Sequence, residues 1–417
     1  MNHTKRLTNR HLDLQEWSTS KSIALSIRER DDLRHFLDSI EPATAREDVY
    51  NLTPGSKVGA FEIGDLSVSI QPKLDIGRVL YLASYAMGAK GAVDFRRERF
   101  DYQQQPTLTE ALVLALTRAA RRAFARGLLH GYRTEEESLY TVRGRIRAAD
   151  QLRRRFGIPI PIEIRYDDFT DDILPNRLVK AAAAQLGKLR IHSRQSRIDL
   201  GWIAATLNNV SLVEFPTTAV PEVKFDRLNE HYREVVTLAR LILRHVAIET
   251  GCGSVRANGF LMDMNVVFQE FVTRALREDL RLADQVFVSD KNLPKTIYLD
   301  EGRKIRLAPD VSWWNGHTCV FVGDAKYKLI EDKRAPNADL YQLLAYTTAL
   351  GLPGGLLIYA AGDANDIVHR VHNAGKRLEI ATLNLSGSIE DLQGEIRNLA
   401  RRVRSLRNEV NRKRQAA

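Results

Sequence analysis

Leu307-Ala308-Pro309-Asp310 and Thr318-Cys319-Val320-Phe321-Val322-Gly323-Asp324-Ala325-Lys326, whose Asp324 stands fourteen residues after Asp310, are the stretches on which the fold turns. The second is an apolar, strand-like run that ends in two charges. Side chains alternate across a strand, so Asp324 and Lys326, at i and i+2, share one face. A carboxylate and an ammonium beside an apolar sheet are costly unless they are paired or hold a metal ion. With Asp310 alongside, the group has what metal-dependent phosphodiester hydrolysis requires. Two carboxylates hold a divalent cation and a lysine acts on the attacking water. The bland reading is a surface hairpin whose Asp324 and Lys326 face water.

The surroundings favour the first reading. Asn315-Gly316 lies between Val311-Ser312-Trp313-Trp314 and His317-Thr318-Cys319-Val320, a hairpin signal. A strict two-residue turn at Asn315-Gly316 sets Asp310 opposite Phe321, about 10 Å along the strand from Asp324. Sharing one ion therefore requires a loop centred nearer His317 or a bulge that shifts the register. Downstream, Asn337 is expected to cap a helix in which Gln342 and Tyr346, at i and i+4, share a face. An acidic hairpin followed by a Gln-x-x-x-Tyr helix resembles the PD-(D/E)xK nucleases of the RecB-like group. There the helix packs on the sheet, and its polar groups orient the lysine and the DNA.

Formal charge is +10 over 417 residues, and only sixteen of the 62 basic residues are lysine. That balance suits a polyanionic partner, and arginine recognises phosphate in a bidentate manner. Codon bias explains the arginine excess equally well. Cys252 and Cys319 are the only cysteines and form no C-x-x-C, so neither a zinc site nor a disulfide framework is indicated. No run approaches a membrane span and the first residues lead into no signal-peptide core, so a cytoplasmic protein without membrane association is expected.

Patterning predicts an α+β multidomain chain. Residues 1–95 read as an N-terminal β-containing interaction module, with a strand at 22–27, a short helix at 31–40 and a hairpin around Gly64-Asp65. Residues 96–250 read as mainly helical, with a long helix capped by Thr107 or Thr109. Arg118, Arg121, Arg122 and Arg126 on that helix read as a solvated face or, less often, a contact surface. In Arg143-Gly144-Arg145 the glycine permits close backbone approach beside arginine. Residues 251–417 read as an α/β domain of restriction-endonuclease-like PD-(D/E)xK type. It opens with a helix capped by Asp263 or Asn265, and the acidic hairpin is drawn from 304–310 and 318–326. Its tail has apolar residues at helical spacing from Ile389 to Val410, with arginines between them. Internal packing, DNA contact and dimer formation are all open to that helix.

In order and spacing these elements resemble the McrC family, the nuclease subunit of McrBC-type, 5-methylcytosine-specific (modification-dependent) restriction systems. The resemblance rests on Ile70-Gln71-Pro72-Lys73, Arg143-Gly144-Arg145-Ile146, Tyr166-Asp167-Asp168 and Asn176-Arg177-Leu178. It continues through Asp263-Met264-Asn265, Phe268 to Val272, Pro309-Asp310, Asp324-Ala325-Lys326, Gln342 and Tyr346. It implies a partner, an McrB-like AAA+ GTPase or ATPase motor, with double-stranded DNA as substrate. No G-x-x-x-x-G-K-[ST] phosphate loop occurs in this chain. One departure is Gln269, where the family often has glutamate; glutamine supplies no charge to a cation. Glu270 points about 100° away on the helix.

The expected function is Mg²⁺-dependent endonucleolytic cleavage of DNA. Asp310 and Asp324 are the expected metal ligands, Lys326 positions and helps deprotonate the water, and Gln342 and Tyr346 orient substrate or lysine. The alternatives are a non-catalytic adaptor that activates a AAA+ NTPase, and a stand-alone RecB-like repair nuclease.

Overall fold

The computed structural model describes residues 10–43, 48–88, 107–156, 158–248, 257–329, 336–361 and 367–415. Strands β1 (Arg10–Gln15) and β2 (Ser20–Ala24) precede helix α1 (Ile27–Leu33). Strands β3 (Ser39–Pro42), β4 (Val49–Thr53), β5 (Lys57–Ile63) and β6 (Leu66–Gln71) lead to α2 (Ile76–Ala86). The middle of the chain holds α3 (Leu108–Phe124), β7 (Gly131–Leu139), β8 (Arg145–Ile146), α4 (Ala148–Arg155) and β9 (Ile162–Thr170). Helices α5 (Leu174–Gly187), α6 (Arg194–Thr206) and α7 (Arg233–His245) follow, then β10 (Val246–Ile248), β11 (Ala257–Asp263) and α8 (Met264–Leu280). The last third contains β12 (Phe287–Val288), β13 (Ile297–Tyr298), β14 (Arg306–Leu307), β15 (Val311–Asn315) and β16 (Thr318–Leu329). It ends with α9 (Asn337–Ala349), β17 (Gly354–Ala361), β18 (Ile367–Arg370), β19 (Arg377–Thr382) and α10 (Ile389–Gln415).

Two units are each built from separated segments. The described part of one comprises 60–67, 107–156, 158–248 and 257–261; that of the other comprises 10–43, 48–59, 68–88, 262–329, 336–361 and 367–415. The boundaries expected near 95 and 250 both fall outside the described residues.

In the second unit a six-stranded mixed sheet runs in the order β12-β15-β16-β17-β19-β18. β16, β17 and β19 are parallel, and the outer pairings are antiparallel. The sequence explains the layering. β16 and β17 alternate Val322, Asp324, Lys326 and Leu357, Tyr359 onto the face covered by α9, where Leu343 and Tyr346 complete the core. The opposite residues face α8 and α10, with Phe268 against Tyr327 at 6.1 Å between ring centroids. Buried Trp314 donates its indole N–H to Ser312 Oγ at 2.8 Å, so the polar end of that large side chain is satisfied.

The N-terminal segment shares this unit. Asp263 caps α8 through the Asn265 N–H and accepts a 2.8 Å bond from Ser56 Oγ. Asn265 Nδ2 returns a bond to the same hydroxyl. Glu16, fully buried beyond β1, accepts from the Lys73 N–H at 2.9 Å and from the Tyr327 hydroxyl at 3.4 Å. Pro72-Lys73 therefore closes onto the back of the strand that carries Asp324 and Lys326. Burial pushes the Glu16 carboxyl up to about 7 against the pull of those donors.

In the other unit, α3, α5, α6 and α7 pack together; Leu112, Leu116, Leu178, Ile203 and Leu241 are buried there. Thr107 is the cap of α3, its hydroxyl accepting from the Glu110 N–H. Of the arginines expected to project from α3, Arg121 pairs with Asp199 and Arg122 with Glu234, both within this unit. Asp172 anchors the next turn, accepting from Arg177 and Ser211 and pairing with Arg133. Those donors hold its carboxyl well below the usual carboxylate range. Asn176 donates to the Leu129 and Asp171 carbonyls, a structural role.

Several local expectations are corrected. The helix expected over 31–40 is α1 at Ile27–Leu33, because Ser26 and Glu29 form a capping box that starts it earlier. Ile40 lies in β3, which pairs with β4. The expected strand at 22–27 is β2, which stops at Ala24 before that cap. Asn337 is the first helical residue of α9; Pro336 occupies the cap, with no side-chain bond. Arg306–Leu307 pairs with β13, not with β16. Pro309, which has no N–H to give a ladder, separates that strand from β15. The C-terminal helix packs internally: Leu392, Leu399, Val403 and Leu406 are buried, and Arg402 pairs with Glu379 of β19. No helix among the described residues is long and apolar enough to cross a membrane.

Candidate active site

The register problem is resolved by both available devices. Asn315 faces Thr318, so the loop is Gly316-His317, with Gly316 at φ +58°. A bulge then leaves Val320 without a partner, because Trp313 faces Phe321 while Trp314 faces Cys319. Beyond it Val311 faces Gly323, which brings Asp310 level with Asp324. The Ala325 N–H donates to Asp310 Oδ2 at 3.0 Å, holding the first acid across the strand pair. The Asp310 carbonyl accepts from Thr273 Oγ1 of α8 at 3.3 Å.

Asp324 has no solvent exposure. Lys326 Nζ stands 2.5 Å from its Oδ2, and among the described residues neither Asp324 oxygen accepts a well-aligned hydrogen bond. Burial, then the adjacent Asp324 charge, pushes Asp310 up to about 8. Near neutral pH the Asp310 carboxyl therefore tends to keep its proton in the absence of a cation. Burial works against the Lys326 ammonium, but the charges of Asp324, Asp310 and Asp339 outweigh it and raise its pKa above the ordinary lysine value. A buried carboxylate and a half-buried one with unused oxygens suit a hard divalent cation, which is commonly held by one or two carboxylates plus substrate phosphate. Among the described residues no group of three His, Cys, Asp or Glu side chains is placed to hold an ion.

Gln342 and Tyr346 meet as expected, but their bonds run to the other acid's approach. Gln342 Nε2 donates to the Tyr346 hydroxyl at 2.7 Å, and that hydroxyl donates to the Ala308 carbonyl at 3.1 Å. The pair pins the backbone two residues before Asp310. Gln269 donates to Asp290 Oδ1 at 3.3 Å, and Glu270 turns outward to Lys291.

Three residues of this face are not among those expected. Asp339 is buried on α9; its Oδ2 lies 2.6 Å from Lys328 Nζ and accepts from the Tyr359 hydroxyl at 2.6 Å. A signal for two of them exists in the chain. Lys328 continues the i, i+2 alternation of Asp324 and Lys326, and Asp339 precedes Gln342 by three and Tyr346 by seven on one helical face.

In the other unit, Arg143-Gly144-Arg145 and Tyr166-Asp167-Asp168 are brought together. Arg145 faces Arg165 in the β8–β9 pairing. Arg143 bonds Asp168 at 2.6 Å and lies over the Tyr166 ring at 4.2 Å. Gly144 has φ +78°, and a Cβ there would sit 2.4 Å from the Arg165 carbonyl oxygen. Close backbone approach is what this glycine supplies.

A family model described as "McrBC 5-methylcytosine restriction system component" matches residues 52–360. The chain belongs to that family. The Type IV methyl-directed restriction enzyme EcoKMcrBC of Escherichia coli (strain K12) is 22% identical over 337 residues, covering 76% of this McrBC-family chain and 94% of the relative. Among solved structures, a chain of the Thermococcus gammatolerans assembly of McrB AAA+ hexamers with bound McrC superposes with a TM-score of 0.58. That match has 18% identity and covers 93% of this chain and 98% of the other. At such identity it speaks for the fold, a mixed α/β architecture shared along nearly the whole McrBC-family chain.

Proposed function

We propose that this chain is the McrC-type nuclease subunit of a modification-dependent restriction complex and cuts double-stranded DNA at the Asp310–Asp324–Lys326 site. The observation that carries the reading is the bulged hairpin, which sets two acids level on adjacent strands with a lysine beside the buried one. A register chosen only to make a hairpin has no need of a bulge that forces two carboxylates together at a cost. The C-terminal region then reads as a PD-(D/E)xK domain.

Asp310 and Asp324 would hold Mg²⁺, with the Ala325 carbonyl as a further oxygen. When bound, the ion supplies charge neutralisation at the scissile phosphate and a lowered pKa for a water. Asp324 stays fixed because its strand is central in the sheet; Asp310 stays fixed through the Ala325 N–H and the Thr273 hydroxyl. The Gln342–Tyr346 relay holds the Ala308 carbonyl and with it the turn that presents Asp310. Lys326 is charged in this state and acts first as a donor, orienting the attacking water and the phosphoryl oxygen through an ammonium with three N–H groups.

The partner expected from the resemblance is an McrB-like AAA+ motor. A structural neighbour comes from an assembly of McrB AAA+ hexamers with bound McrC, and the E. coli relative is by name a Type IV methyl-directed restriction enzyme. Tyr132, Tyr140, Leu152 and Phe156, exposed in and beside β7 and α4, would form the docking face for that motor. Apolar side chains left in water beside basic ones mark a protein contact.

The test uses full-length protein, because residues 10–59 share their unit with 262–415 and a truncation near 250 would remove that core. Asp324→Ala, mixed with the motor and Mg²⁺, is expected to cut nothing while still raising nucleotide turnover. Wild-type cutting by both Asp324→Ala and Asp310→Ala would end the nuclease assignment. A wild-type protein that stimulates the motor but never cuts would favour the adaptor reading instead.

A further inference from the structure

Lys328 and Asp339 form an ion pair that the proposed chemistry leaves unused. The pair does not read as simple bracing. Asp339 is buried, and its Oδ2 already receives the Tyr359 hydroxyl, whose proton burial and this carboxylate hold firmly in place. Helix α9 is therefore fastened to β17 without Lys328. The Lys328 side chain is about one-third exposed (34%), and its ammonium has two further N–H donors to offer. Between Lys326 and Leu329 the pairing of β16 to β17 slips by one residue. A second irregularity thus sits on the strand that carries the site, where a bulge can re-aim a side chain.

We infer that Lys328, held by Asp339 and Tyr359, binds the DNA phosphate next to the one being cut. The spacing carries this. Lys326 and Lys328 are two residues apart on one strand, about 7 Å along it. Successive phosphates of a nucleic-acid strand are separated by a similar step, so a backbone following β16 meets both ammonium groups in turn. The charge balance points the same way. Among the described residues Asp324 pairs with Lys326 and Asp339 with Lys328, with Asp310 close by, and a second cationic contact beside these acids lets a polyanion settle. A strand lysine held out by a carboxylate on a crossing helix is also how protein kinases present a lysine to phosphate. Asp339 is on this view a positioning residue, and Lys328 touches substrate.

The inference rests on the nuclease reading, and one set of assays separates them. kcat and KM for duplex cleavage are measured at several salt concentrations, with full-length protein, its motor partner and Mg²⁺. Lys328→Ala is expected to raise KM severalfold with kcat within about twofold of wild type, and to flatten the log–log salt dependence of kcat/KM by about 0.9, one phosphate contact. Lys328→Arg should keep the wild-type slope, since a cation remains. Asp339→Asn should raise KM in the same direction, because Lys328 loses its anchor, while Tyr359 still has an oxygen to bond. Unchanged KM and slope in Lys328→Ala would overturn the inference, as would a loss confined to kcat. Wild-type cutting by both Asp324→Ala and Asp310→Ala in these assays would instead overturn the nuclease reading. Lys328 is half-buried at a strand end, so its alanine variant folds; urea midpoints confirm that each variant compared is native.

Discussion

Replacing Asp310 with asparagine tests the site without reference to cleavage. The carboxyl ionises near 3.8 in the unfolded chain and at about 8 in the native protein, chiefly because it is buried and then because Asp324 is beside it. Between those values the native state binds one more proton than the unfolded chain, so stability falls as pH rises. Every tenfold difference in proton affinity between the two states corresponds to about 1.4 kcal/mol. Asparagine keeps an oxygen for the Ala325 N–H and removes the titration. In chelator the variant should therefore be more stable than wild type, by about 4 kcal/mol at pH 7. The gap should narrow by about 3 kcal/mol on going down to pH 5, and close below pH 4. Urea unfolding of both proteins at pH 5 and pH 7, in EDTA, measures it. Adding Mg²⁺ should stabilise the wild type and leave Asp310→Asn where it was. A gap that does not change between pH 5 and pH 7 would refute the claim that desolvation and the neighbouring Asp324 hold the Asp310 carboxyl above its ordinary value.

Three further outcomes follow from the same geometry. Glu16→Gln should stabilise the protein by about 3 kcal/mol above pH 7, because a carboxyl raised from 4.5 to about 7 loses native stability as pH climbs through that interval; a destabilised variant at pH 8 in urea melts would contradict it. Lys326→Arg should cut at under about a hundredth of the wild-type rate, since a planar guanidinium fork does not reproduce the compact ammonium that stands 2.5 Å from the buried Asp324 oxygen. Full activity in a cleavage assay would make Lys326 a fixed charge and no more. Gly144→Ala should lower stimulation of motor nucleotide hydrolysis at least severalfold while Asp324→Ala does not, because the added Cβ meets the Arg165 carbonyl oxygen at 2.4 Å and displaces β8. Undiminished stimulation by the alanine variant would remove this element from motor activation.

Chemistry along the chain is legible where neighbours in sequence decide it. The Asn315-Gly316 turn signal, the Thr107 and Asp263 caps and the Gln342–Tyr346 face all involve residues within a few positions of each other. The capping box of Ser26 and Glu29 is just as local, yet the apolar spacing of Leu33, Phe36, Leu37 and Ile40 points to a later helix and masks it. The alternation of Asp324, Lys326 and Lys328 is equally plain in the strand. By contrast, the partner of Lys328 lies on a helix eleven residues on, and nothing in the strand pattern names Asp339.

Register belongs wholly to the tertiary structure. From sequence, Asp310 stands three residues out of line with Asp324. The Val320 bulge and the Gly316-His317 loop that correct it are imposed by packing of the two strands in a six-stranded sheet. The residue types available, two acids, a lysine and a helix with polar groups on one face, are properties of the chain before it folds. So is the family, through motifs whose order survives low identity. It takes the folded molecule to show that Gln342 and Tyr346 hold the Ala308 carbonyl, that Gln269 turns to Asp290, and that Glu16 lies buried behind Tyr327. Periodicity reports which side of an element faces inward, whereas a hydrogen bond between residues hundreds of positions apart depends on how the layers meet, and no local pattern encodes that.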